Sequence, residues 1–186
     1  MRTSRKDTKE RILESALRLF SRQGIRETTI KDIAKEVGVT EGAIYRHFIS
    51  KDEIIKKLFG MYSEEFYRRL ASSIEVGDYR DKFYRAVVEF LGFCFENPEA
   101  FKYLDIFHYL RSEEVKEFEK LPKDVVLELI REGIEKGIIK VPAELGLAMF
   151  VGTLERVFLL TEAGFIERRE SLEWKVANLL WKALTN

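Results

Sequence analysis

Residues 39–54 read VTEGAIYRHFISKDEI, and the reading of GAIYRHF within them decides the fold. A glycine inside a helix costs about 1 kcal/mol relative to alanine, and Tyr45, Arg46 and His47 crowd three large polar-capable side chains into one turn. Wound at about 100° per residue, Ile44 and Phe48 stack one turn apart, while Gly42, Ala43, Tyr45 and Arg46 face the other way. The pattern predicts a helix capped by Thr40 and running to about Phe48, anchored on one side and open to close approach on the other. A helix of this size fits the major groove of B-DNA with its N-terminal residues nearest the base edges. Gly42 and Ala43 remove bulk at that end. Arg46 can pair with a guanine edge or a phosphate, and Tyr45 and His47 have the reach for phosphate oxygens.

Working upstream, Ile12, Leu13, Ala16, Leu17 and Phe20 recur at helical spacing, and Gly24 supplies a stop. Thr29 opens TIKDIAKEV, where Asp32 can complete a capping-box-like pair and Ile30, Ile33, Ala34 and Val37 form a buried face. Gly38 ends that helix, and two short helices joined through Val37-Gly38-Val39 make a helix-turn-helix. Downstream, Ser50 with Glu53 starts a longer helix at Lys51, KDEIIKKLFGMYSEEFYRRLAS, which bridges to the rest of the chain. Thr29 and Lys51 stand at helix N-termini, where backbone N–H groups, a hydroxyl and an ammonium suit phosphate. Lys31 and Lys35 fit a solvated face as well as a contact. Arg2, Arg5 and Lys6 form a basic arm that adds nonspecific affinity for a polyanion.

Charge is distributed accordingly. Lys+Arg and Asp+Glu balance at 32 each, yet residues 1–56 hold 13 basic against 9 acidic side chains, an excess of four that the remainder reverses. A basic front on an acidic body places the polyanion partner at the front. Cys94 is the sole cysteine, which leaves no disulfide framework and no Cys-based zinc site. The longest apolar run, Leu145 to Leu154, is far shorter than the roughly 20 residues that span a bilayer, and the N-terminus lacks a signal-peptide pattern. A cytoplasmic protein with no membrane partner is expected.

Residues 8–56 resemble the DNA-binding domain of the TetR family of transcriptional regulators. The resemblance is carried by ILESALRLFSRQG, TTIKDIAKEVGV, EGAIYRHF and SKDEI, and covers about a quarter of the chain. It implies an all-α homodimer with an N-terminal three-helix helix-turn-helix domain and a larger C-terminal helical ligand-binding and dimerisation domain. It also implies a repressor that binds a pseudo-palindromic double-stranded DNA operator and leaves it when a small-molecule effector enters the C-terminal domain. By the same resemblance Thr29, Tyr45, His47 and Lys51 hold phosphates, and Thr40, Gly42, Ala43 and Arg46 face bases or adjacent backbone. Ala43 departs from the Ser or Thr common in the family, leaving at most an apolar contact there.

The body is expected to be helical throughout, giving about nine helices in all, with the domains divided as 1–50 and 51–186. Its helices read as Asp81 to Glu96, Pro98 to Leu110, Glu113 to Lys136 with a kink or break at Pro122, Pro142 to Ala163 and Ser171 to Leu184. The last helix carries two apolar stripes, and the one before it is apolar nearly all round. This predicts a homodimer through Phe150, Leu154, Trp174, Ala177, Trp181 and Leu184, the alternative being a central helix of a monomeric bundle. Aromatic runs such as FLGFCF and YLDIFHYL fit core packing first, and their density permits an apolar effector site lined by Glu89, Phe90, Phe93, Asp105, His108 and Phe158. With one cysteine, two distant histidines, no glycine-rich phosphate loop and no serine elbow, the sequence offers no catalytic constellation, metal site or cofactor motif. A protein of the same shape that organises chromosomes or serves cell division would carry the same signals. A few operators against many dispersed genomic sites separates the two.

Overall fold

The structure is a computed structural model in which residues 7–186 are described. The basic arm expected at Arg2, Arg5 and Lys6 lies outside them. The described residues form ten helices: α1 (Thr8–Gln23), α2 (Ile30–Val37), α3 (Glu41–Tyr45), α4 (Lys51–Ser73), α5 (Tyr79–Glu96), α6 (Pro98–Leu110), α7 (Ser112–Val115), α8 (Pro122–Glu135), α9 (Ala143–Glu162) and α10 (Leu172–Thr185). No strand occurs among them. The chain divides into two compact units, one of residues up to Tyr62 together with Pro98–Phe118, the other of Ser63–Asn97 with Glu119–Asn186.

The first unit is built on the periodicity of α1. Ile12, Ala16 and Phe20 fall on one stripe and are fully buried, as are Ile33 of α2 and Ile44 of α3. Each such isoleucine or phenylalanine side chain stabilises by roughly 1.5–3 kcal/mol relative to exposure. Gly38 ends α2 in the left-handed region, with φ 78°, and its N–H donates to the carbonyls of Ala34 and Lys35. That conformation is open to glycine at little cost, and it turns the chain sharply enough to lay α3 back against α2. α3 is shorter than expected, closing at Tyr45 instead of about Phe48. The N–H groups of His47 and Phe48 both donate to Ile44, a tightened last turn that still buries Phe48.

The expected boundary at residue 50 falls inside this unit. α1 buries more than α2 and α3 cover, and α6 covers the rest: Tyr103 stacks on Phe20 at 5.8 Å, and its hydroxyl donates to the Ile55 carbonyl of α4 at 2.6 Å. Phe59 packs between Phe107, at 4.0 Å, and Phe118, at 4.7 Å. At the rim Arg111 pairs with Asp52 and Glu114, and Lys56 pairs with Glu114 and Glu117 at 3.3 and 3.1 Å. The first two turns of α4 are therefore held by a segment some fifty residues downstream.

In the second unit α5 is central, packed by α8, α9 and α10. Asp78 caps it through the Asp81 N–H at 2.9 Å, which starts the helix at Tyr79 instead of Asp81. Phe83, Val87, Phe90, Phe93 and Cys94 give it a wide buried face. Phe93 stacks on Phe66 of the second half of α4 at 4.1 Å. Gly133 is a close approach: any Cβ there meets the Tyr79 phenol, whose hydroxyl donates to the Leu129 carbonyl at 3.0 Å. Pro122 opens α8, so the stretch read from Glu113 to Lys136 divides at the break expected there, and the described residues form ten helices where about nine were expected.

The dimer residues expected from sequence are partly core. Phe150 and Leu154 of α9, with Ala177 and Leu184 of α10, are fully buried within the chain. α10 turns Val176, Ala177, Leu180 and Leu184 inward: Val176 comes from the expected stripe Leu172, Val176, Leu179, Ala183, Ala177 and Leu184 from the expected stripe Trp174, Ala177, Trp181, Leu184, and Leu180 from neither. Trp174 and Leu179 stay outside, at 52% and 66% exposure. Trp181 is half-buried with its ring 5.3 Å from Phe83.

Candidate nucleic-acid interface

The segment from Thr40 to Lys51 is anchored from below and open above. Thr40 caps α3 by accepting the Ala43 N–H at 3.2 Å, a bond of the kind that stabilises a helix start by about 0.5–2 kcal/mol. Ile44 and Phe48 are buried, and Lys9 stands 5.3 Å over the Phe48 ring. On the outer side Gly42, Tyr45 and Arg46 are exposed, Tyr45 to 52%, and His47 is half-buried. Nothing lies close to the Cβ position of Gly42 except the Thr40 hydroxyl at 3.9 Å. Lys31 on α2 is exposed as well. Among the described residues Lys31, Tyr45 and Arg46 make no hydrogen bond or ion pair, so their polar ends face solvent.

Three expected contacts are placed differently. Ala43 is buried, at 9% exposure, instead of outward. It precedes Ile44 by only about 100° on the helix, and its methyl is too short to reach out of the packing between α2 and α3. The Thr29 hydroxyl is engaged in a full capping box: it accepts from the Asp32 N–H at 3.1 Å and donates to the Asp32 carboxylate at 2.6 Å. The backbone N–H of Thr29 donates to the same carboxylate at 2.9 Å. These bonds hold the Asp32 carboxyl below its ordinary pKa, and its charge already occupies the α2 N-terminus that a phosphate was expected to meet. Lys51 turns its ammonium to the loop between α1 and α2, donating to the carbonyls of Ile25 and Thr28, each at 2.9 Å, and of Arg26 at 3.5 Å. Of the capping box expected at α4, Ser50 accepts the Glu53 N–H at 3.1 Å, but the Glu53 carboxylate reaches Ile49 N–H instead of Ser50.

The six effector candidates are divided between the two units. Glu89 is paired with Arg69, which also bonds Glu96 at 2.8 Å. Phe90 and Phe93 meet Phe66, and Phe158 meets Phe95 at 5.7 Å, all as buried packing. Asp105 is exposed, on the wet face of α6. His108 sets its ring 5.7 Å from Phe59, and both Asp105 and His108 belong to the other unit. Two residues passed over in the sequence reading bear on the interface. Ile49 is 85% exposed in the turn before α4, and Arg111 holds Asp52; neither carries a local motif that marks it.

Residues 12–58 match the family model described as bacterial regulatory proteins, tetR family. Over 53 residues the chain is 47% identical to the HTH-type transcriptional regulator AcrR of Shigella flexneri, a match covering 28% of this chain and 25% of that protein. The chain thus spans about a quarter of the length of that relative. A longer likeness, 28% identity over 166 residues, 84% of this chain and 77% of the relative, joins it to the uncharacterized HTH-type transcriptional regulator YfiR of Bacillus subtilis. In fold it superposes on a TetR family transcription regulator from Marinobacter aquaeolei over 100% of both chains, with a TM-score of 0.82 at 20% identity. Residues 12–58 thus form an N-terminal domain of the kind described as bacterial regulatory proteins, tetR family, and the all-helical remainder shares the fold of the solved TetR family regulator.

Proposed function

We propose that the protein is a DNA-binding transcriptional regulator, a repressor that acts as a homodimer and leaves a pseudo-palindromic operator when a small apolar or aromatic molecule acts on the second unit. The observation that carries this reading is the outer face of the recognition segment. Gly42 opens it, while Tyr45 and Arg46, on a helix fixed by Thr40, Ile44 and Phe48, and Lys31 of α2 make no hydrogen bond or ion pair among the described residues. Arg46 reads bases, with Gly42 admitting close approach, and Thr40 lies beside them. Tyr45, His47 and Lys31 hold phosphates. The exposed Trp174 and Leu179 of α10, with half-buried Trp181, form the dimer face. The phenylalanine-rich core around α5 supports an apolar effector. Selection of duplexes from random-sequence DNA tests the reading. The expected product is a two-fold symmetric site bound more weakly by Tyr45→Phe at every sequence, and absence of any sequence preference removes it.

A further inference from the structure

We infer that Lys51 is a positioning residue for DNA binding, acting on the α1–α2 loop and not on a phosphate. The inference rests on the DNA-binding reading above. An ammonium has three donors, and all three of Lys51 have carbonyl acceptors, on Ile25, Arg26 and Thr28. These three carbonyls belong to one short loop, between Gly24 and Thr29. The loop is otherwise tied by Thr28, whose buried hydroxyl donates to the Gly24 carbonyl at 2.8 Å and accepts from Gln23 at 3.3 Å. The residue after Thr28 is the cap of α2, so fixing the Thr28 carbonyl fixes where α2 begins, and with it the base on which α3 packs.

A lysine in the first turn of a helix stands at the wrong end of the helix dipole. Here the converging carbonyls supply the negative partial charge that the helix end does not. On its other side the same turn is held by Arg111 through Asp52. The first turn of α4 is thus a bracket, with Lys51 gripping the loop before the recognition helices and Asp52 gripping the segment Pro98–Phe118.

The test compares Lys51→Met and Lys51→Arg with wild type on the duplex that wild type selects, across a range of salt, with hydrogen exchange at residues 25–32. Lys51→Arg keeps the charge, but a planar guanidinium fork cannot converge on three carbonyls. Both variants are expected to bind roughly tenfold more weakly, with faster exchange in the loop and a slope of log affinity against log salt unchanged. A slope lowered by about 0.9 in Lys51→Met, with Lys51→Arg binding as wild type, makes Lys51 a phosphate contact and overturns the inference. Faster exchange with unchanged affinity makes it a purely structural clamp, which overturns it too. Failure of the wild-type protein to bind any duplex removes the DNA-binding reading itself, an outcome visible without either variant.

Discussion

The interior of the second unit and the outer face of the recognition segment treat polar side chains in opposite ways. In the second unit they close on one another: Glu89 on Arg69, the Tyr79 hydroxyl on the Leu129 carbonyl, and Tyr84 on Asn178 at 3.1 Å. In the first, Lys31, Tyr45 and Arg46 are left open on a face whose underside is fully packed. A buried polar group needs a partner to offset its desolvation, so closure is what a core requires by itself. Open polar ends on a rigid surface are satisfied by water, and on the proposed function they are the ends that DNA would meet.

Substitutions should separate the units along that line. The largest effect is expected in the aromatic core of the second unit. Phe83 is fully buried against Phe150, at 5.6 Å, and Trp181, and Phe83→Ala should lower unfolding free energy by about 3–5 kcal/mol in urea titrations. Arg46→Ala should leave that stability within about 0.5 kcal/mol and instead relax preference at particular base positions by roughly 1–3 kcal/mol in competition binding. Equal weakening at every sequence would make Arg46 a phosphate contact. Tyr103→Phe probes the reach of the first unit beyond the helix-turn-helix. Loss of its bond to Ile55 should destabilise by about 0.5–1.5 kcal/mol, since the carbonyl, inside α4, keeps its helical donor.

The smaller effects lie at the α2 cap. Thr29→Ala should cost about 0.5–2 kcal/mol of stability while leaving the salt slope of DNA binding unchanged, because the hydroxyl serves Asp32. Asp32 also sets a pH dependence. Its carboxyl is held below the ordinary value first by the Thr29 hydroxyl and then by the Thr29 backbone N–H. A depressed carboxylate stabilises the fold fully above its unfolded pKa of about 4 and loses that contribution as pH falls through the folded value. The gap between wild type and Thr29→Ala in urea midpoints should therefore be constant near pH 7 and narrow on acidification below about pH 4. An unchanged gap would dissociate the cap from Asp32.

The helices of both units were legible in the sequence because helical periodicity and caps are local. Thr29 with Asp32, Gly38 and Thr40 occupy the positions that their residue types specify. Pro98 begins a helix and Pro122 begins another. The face that each helix buries was less legible where two faces are apolar. The sequence of α10 admits either of two stripes, and contact with α5 and α9 selects a third that draws on both. Glu89 and Asp105 both interrupt aromatic runs, yet one is paired with Arg69 and the other is exposed. Only the neighbouring helices distinguish them.

The sequence by itself determined an all-helical chain and a recognition segment whose glycine, tyrosine and arginine share an open face, since spacing of three and four residues sets direction around a helix. The tertiary structure decided what no local pattern encodes. Residues 98–118 complete the first unit, Ala43 lies inside, Thr29 serves Asp32, and Lys51 serves three carbonyls some twenty-five residues upstream. A lysine's type fixes its charge and its three donors, but the acceptors it meets depend on which backbone the fold brings within reach of its four-carbon stem.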